Sequence, residues 1–152
     1  MKALVFHIGA DRYGLPLAAV ARVLPAAALK QLPLAPAWVA GVLDLHGAPV
    51  PVIDLAQLAG RAPAPLRYDT RIVLVDYPLP GGGHHALGLL AERVAGVAKV
   101  DEHTLAETGV RGAPFLGRVA SSADGMLQLV ELAQLLGAEV RALLFQPRSV
   151  PA

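Results

Sequence analysis

The sequence predicts an all-β chain with a few short helices, arranged as two small subdomains of the same build. Three observations point there. Its clearest apolar runs are short, rich in Val and Ile, and closed by Gly or Pro. Its helical signals are few and cover about two turns each. Its two halves also match each other at a separation of about 75 residues, longer than the usual solenoid period.

Taken in order, Leu4-Val5-Phe6-His7-Ile8 reads as a strand stopped by the turn residues Gly9-Ala10-Asp11. Residues 17–24 carry apolar side chains at 17, 20, 23 and 24, which predicts a short helix before Pro25. Val50, Val52 and Ile53 alternate with Pro49 and Pro51, which forbid an interior helix and predict an edge strand. Residues 54–59 start acidic and stop at Gly60, a short helix. Ala62-Pro63-Ala64-Pro65 is a stiff linker. Residues 71–76 form a buried strand that ends before Pro78 and Pro80. Together with residues 85–90, across the tip Gly81-Gly82-Gly83, it makes a hairpin. Ser121-Ser122-Ala123-Asp124-Gly125 is a hairpin turn, and residues 131–136 a short helix stopped by Gly137. A last helix spans 138–146, followed by a tail at 147–152.

The internal match has two parts. Residues 52–60 align with 129–137 at an offset of 77, with five identities. Gly14-Leu15 and Val20-Ala21-x-Val23 align with Gly88-Leu89 and Val94-Ala95-x-Val97 at an offset of 74. A duplication accounts for both; chance likeness of Leu-, Ala- and Gly-rich stretches is the competing reading.

Composition narrows the function. With 152 residues the chain makes one domain, hiding roughly 68–70% of its unfolded surface. The absence of cysteine excludes disulfides, zinc–thiolate sites, iron–sulfur clusters and a thiol nucleophile, and it fits a reducing compartment. At 55% hydrophobic and 16% charged, the chain is not disordered. Its cleanest apolar run, 32–43, is broken by Pro33, Pro36 and Gly41 and falls short of the ~20 residues a bilayer helix needs, so no membrane insertion is expected. His7, Asp11 and Arg12 interrupt the start before an export signal builds up. Thirteen basic residues against twelve acidic ones give +1, with the arginines scattered, so nucleic acid is not an expected partner. A sparsely charged surface rich in Val, Leu and Ala suits another protein.

No catalytic or metal constellation stands out, and no cofactor is expected. His84 and His85 are adjacent and so point to opposite faces of a strand; His103 has no second histidine at ligand spacing. No serine sits in a nucleophile elbow. The carboxylates Asp44, Asp54, Asp76 and Glu92 share no spacing, and the glycine triplet lacks the Lys-Ser/Thr of a phosphate loop.

The most distinctive stretch is Gly41-Val42-Leu43-Asp44-Leu45-His46-Gly47 followed by Pro51-Val52-Ile53-Asp54-Leu55. It resembles the signature of the CheW family of chemotaxis coupling proteins, whose motif positions here are Gly41, Asp44, Leu45, Gly47 and Asp54. The likeness continues in family order through Phe6-x-x-Gly9, Tyr13-Gly14-Leu15-Pro16, residues 71–75, Leu87-Gly88-Leu89, Glu92-x-Val94, Phe115-Leu116-Gly117 and 127–136. The resemblance implies a single domain over 1–146: two five-stranded, SH3-like β-barrels around a shared core, with intertwined subdomains at about 10–66 and 67–138. It implies no enzymatic activity, a cytoplasmic location and an adaptor role. The partners would be the cytoplasmic tip of methyl-accepting chemoreceptors and the regulatory domain of a CheA-type histidine kinase, the latter at a barrel end. By position, the receptor groove would involve Val20, Arg22, Ile72 and Val97, with His46 nearby; for the three aliphatic residues, core packing is the competing reading.

Two departures bear on partner choice. Arg22 stands where many members carry glutamate, and His46 replaces the arginine of Asn-Leu-Arg-Gly, whose asparagine is Asp44 here. A reversed charge would repel partners built for the acid, which points to a dedicated chemosensory system rather than the general flagellar one. The alternatives are an adaptor between other proteins, a barrel that binds an apolar small molecule between its halves, and an enzyme using Asp44, His46 and Asp54.

Overall fold

The computed structural model describes residues 1–108, 112–122 and 124–145. Ala123 of the turn at 121–125, the end of the last helix at 146 and the tail at 147–152 lie outside the described residues.

Strands β1 (Lys2–Ile8) and β2 (Asp11–Pro16) form the first hairpin. A single 3-10 turn, Leu17–Ala19, then leads into β3 (Val20–Pro25). The helix expected over 17–24 is therefore only that turn. Pro16 and Pro25 leave too few residues for a helix to stabilise itself. The β-branched Val20 and Val23 instead join a ladder with β6, Val20 opposite Val75 and Val23 opposite Val73.

Strands β4 (Val39–Leu45) and β5 (Ala48–Asp54) make the second hairpin, with Pro49 opposite Asp44 and Pro51 opposite Val42. Beyond the prolines, Val52, Ile53 and Asp54 also pair in parallel with β7. The edge-strand expectation thus holds for the half of β5 that cannot donate, and fails for the half that can. Helix α1 (Leu55–Leu58) follows, one turn rather than the six residues expected.

The expected hairpin at 71–90 is β6 (Arg71–Pro78) with β7 (His84–Lys99), in register from Arg71 opposite Ala91 to Pro78 opposite His84. Strand β7 runs sixteen residues, far past Leu90, because its second half pairs with β1. Strands β8 (Leu116–Ser122) and β9 (Gly125–Val130) form the last hairpin. The helix expected at 131–136 reduces to a 3-10 turn, Leu132–Gln134, before α2 (Ala138–Leu144).

Pairing sorts the strands into two sets of five, with β7 shared. One runs β8–β9–β2–β1–β7 and the other β4–β5–β7–β6–β3. These are the same plan built twice. Gly14 on β2 lies beside Leu129 on β9, and its counterpart Gly88 on β7 lies beside Val52 on β5. The isolated bridges repeat as well, Lys30 with Val42 and Ala106 with Val119. The segments matched at offsets 74 and 77 therefore hold equivalent places, and each repeat is split, with its first two strands in one barrel and its last three in the other. Both glycines make room for that exchange. A Cβ on Gly14 would lie 3.3 Å from Leu127 Cδ2 on β9, and one on Gly88 would lie 2.9 Å from Val52 Cγ2 on β5.

Alternation along β1 couples the barrels. Ala3 and Val5 point into their own barrel with Val100, Ala120, Leu127 and Leu129. Leu4, Phe6 and Ile8 point the other way, into a larger core shared with Val52, Ile53, Ile72, Val73, Leu87 and Leu89 of the second barrel. The seam is filled by side chains.

Strand β7 crosses that seam at Glu92–Arg93, where Arg93 takes a φ of +44° and the ladder to β1 shifts register. His7 Nδ1 meets the Arg93 carbonyl at 3.0 Å, and Val94 N–H donates to Asp69 O at 3.3 Å. A long side chain at positive φ carries strain. Arg93→Gly is expected to keep or raise stability, by up to about 1 kcal/mol, and Arg93→Val to lose about 1–2 kcal/mol. Urea midpoints of the two variants against the parent check both signs.

Candidate partner-binding surface

The motif residues build the β4–β5 hairpin and its exit. His46 and Gly47 form a two-residue loop with φ of +52° and +88°, the signs a type I′ turn needs to match strand twist. Asp44 Oδ1 accepts the Gly47 N–H at 2.7 Å and locks that turn. His46 is exposed at the tip, while Leu45 packs on the shared core. Gly41 is buried under the segment that bridges to β4. Asp54 is 3% exposed; its Oδ1 accepts Ala56 N–H at 3.0 Å and Gln57 N–H at 3.4 Å, and its Oδ2 accepts Ala64 N–H at 3.0 Å. The stiff linker at 62–65 is thus tied down, with Ala64 buried and Pro65 O accepting from Thr70 Oγ1 at 2.7 Å.

The residues expected in a receptor groove divide. Arg22 is exposed on β3, opposite Leu74. Val20 starts the same strand half-buried, packed on the shared core. Val97 is 53% exposed on the second half of β7, opposite Leu4. Ile72 is fully buried at 0% exposure between Leu24 and Leu90, where it packs in the core behind that surface. Val23, 43% exposed, escapes the sequence reading. It is the counterpart of Val97 in the duplication, so the two barrels present the same exposed valine on equivalent strands, each an end strand of its five. A helical β3 would hide it; the offset of 74 between Val23 and Val97 is the signal that could have found it. His46 sits on a different element, the β4–β5 tip.

The two carboxylates of the enzyme alternative lie apart. Asp54 lies five residues along β5 from Pro49, the partner of Asp44, a strand distance of roughly 17 Å. Both carboxylates are also engaged by backbone N–H groups. Among the described residues no three metal-ligating side chains gather, and no helix is long and apolar enough to cross a membrane. Tyr13, stacked on Phe6 at 5.9 Å, has its phenol pKa raised by burial and then by Asp11, with Arg61 opposing.

Comparison with known proteins agrees with this layout. The CheW-like domain matches residues 2–140. The chain is 32% identical to the protein PilI of Pseudomonas aeruginosa over 72 residues, a match that spans 47% of this chain but 40% of PilI. It is 24% identical to the chemotaxis protein CheW of Klebsiella aerogenes over 149 residues, covering 92% of this chain and 84% of that one. The crystal structure of the scaffolding protein TtCheW from Thermoanaerobacter tengcongensis superposes with a TM-score of 0.77 at 27% identity, over 88% of this chain and 90% of that one. The two five-stranded sets are the SH3-like barrels of that fold. On the match across residues 2–140, this chain belongs to the CheW-like domain family of scaffold and adaptor proteins.

Proposed function

We propose that this chain is a non-enzymatic adaptor that couples the cytoplasmic tips of chemoreceptors to a CheA-type histidine kinase in the cytoplasm, within a dedicated, non-flagellar chemosensory system. The observation that carries the reading is the surface of β3 and the second half of β7. Each presents an exposed valine, Val23 and Val97, with Arg22 as the adjacent charge. Sparse charge beside aliphatic side chains suits the apolar stripe of an amphipathic helical hairpin, the shape of a receptor tip. Likeness to PilI as well as to CheW supports the non-flagellar assignment. The kinase contact is assigned to a barrel end.

Calorimetry tests the reading with two partners encoded beside this chain: the regulatory domain of its kinase and the signalling hairpin of its receptor. Binding to both is expected, and binding to neither by the folded protein overturns the adaptor role. Arg22→Glu is expected to weaken the cognate receptor about tenfold, or about 1.4 kcal/mol, by reversing a charge at the contact rim. Unchanged affinity for both the cognate and a flagellar-type receptor would remove Arg22 as a source of selectivity.

A further inference from the structure

Helix α2 and Phe145 lie against the β6–β7 hairpin as a strap. Seven residues are too few for a helix to hold itself in water, none of them is buried, and the N-cap Gly137 has no side chain to bond. Among the described residues its hydrogen bonds stay within 136–145. Arg141 N–H donates to Gly137 O at 3.0 Å, Phe145 N–H to Arg141 O at 2.9 Å, and the Arg141 guanidinium to Leu136 O at 2.7 Å. What fastens the strap is apolar. Val140, Leu144 and Phe145 pack on the shared core. The Phe145 ring meets Tyr77 at 5.4 Å and His85 at 4.4 Å between centroids, tilted by 37° and 31°.

The face beneath is unlike an ordinary barrel surface. Tyr77 is fully buried, its hydroxyl donating to Ala133 O at 3.1 Å. Beside it runs a groove of about 410 Å³ whose walls include Val42, Pro49, Val50, Pro51 and Leu144. Removing the strap would leave an aromatic slot and an aliphatic shelf open to water, a patch that monomeric proteins rarely leave bare. The segment that fills it shows what chemistry fits: apolar side chains at 140, 144 and 145, hence one face of a short helix ending in an aromatic.

We propose that this face of the β6–β7 hairpin is a second protein-docking surface, separate from β3 and the second half of β7. It accepts an amphipathic helix with adjacent leucine and phenylalanine, and α2 holds it closed in cis until such a helix displaces it. Tethering gives α2 a high effective concentration, so only a helix that binds better, or is presented locally, takes its place. The surface is therefore gated.

Two measurements test this. In hydrogen exchange on the intact chain, the amides of Arg141 and Phe145 are expected to exchange at least about 100-fold faster than those of Val75 and Leu87, through an opening smaller than global unfolding. Equal rates would overturn the strap. A fluorescein-labelled peptide of residues 137–145 then probes the face by anisotropy. The variants Phe145→Ala and Val140→Asp alter only the strap, and retained protection on β6–β7 shows which of them stay folded. Such a variant is expected to bind the peptide at least about tenfold tighter than the parent chain. Equal affinity, or no binding to either protein, overturns the docking surface.

Discussion

Gly41→Ala is expected to lower the melting temperature by roughly 10 °C. Two penalties coincide there. The backbone sits at a φ of +148°, which a residue with a Cβ rarely adopts, at a cost of about 1–3 kcal/mol. That Cβ would also lie 2.5 Å from Lys30 O and 2.9 Å from Leu29 Cβ, closer than real contacts allow. The carbonyl cannot step aside cheaply, because it accepts the Val42 N–H at 2.8 Å while Lys30 N–H donates to Val42 O at 2.9 Å. Strain and displacement together are worth about 3–5 kcal/mol, a large part of the stability of a domain this size. Gly47→Ala is the matched control. Its φ is +88°, but nothing lies within 4 Å of the added carbon, so only the backbone penalty of about 1 kcal/mol applies. Thermal melts of the pair should differ by several degrees; equal shifts would mean that the Lys30 bridge yields.

That contrast shows what is legible in the sequence. Gly41, Asp44, Gly47 and Asp54 stand out as motif positions, and each serves the backbone in a different way. Gly41 allows a close approach, Asp44 locks a turn, Gly47 takes a positive φ and Asp54 caps a helix. Such roles require particular residue types, so they leave a signature. The duplication is legible for the same reason, since Gly14 and Gly88 are needed where a parallel strand comes close. What misleads is periodicity over short segments. The apolar spacing of residues 17–24 satisfies a helix and a twisted edge strand alike, and only the ladder to β6 decides between them. Burial is equally hidden: Ile72 and Val97 look interchangeable as letters, yet one lies inside the shared core and the other on its outer edge.

Asp54→Ala is expected to cost about 3–4 kcal/mol, through two regions that one carboxylate joins. Oδ1 caps α1 by taking the N–H groups of Ala56 and Gln57, which have no partner within the helix. Oδ2 takes the N–H of Ala64 and so pins the linker onto the hairpin. Loss of the carboxylate leaves these donors unpaired at a site only 3% exposed. The duplicated half supplies a comparison inside the same molecule. Glu131 occupies the counterpart of Asp54, makes no side-chain cap, and is followed by a 3-10 turn instead of an α-helical one. Its longer side chain lies toward Gly117, where an added Cβ would sit 3.0 Å from Glu131 Cγ. Glu131→Asp should therefore build the missing cap and gain about 0.5–1 kcal/mol. Asp54→Asn separates the two roles of the carboxylate. An amide has one oxygen, so it serves either α1 or the linker, and its NH2 group faces another donor on the side left over. Amide exchange should then show one region released and the other protected: Ala56 and Gln57, or Ala64. Release of both together would mean that cap and tether form a single cooperative unit, with the charge rather than the count of oxygens holding it.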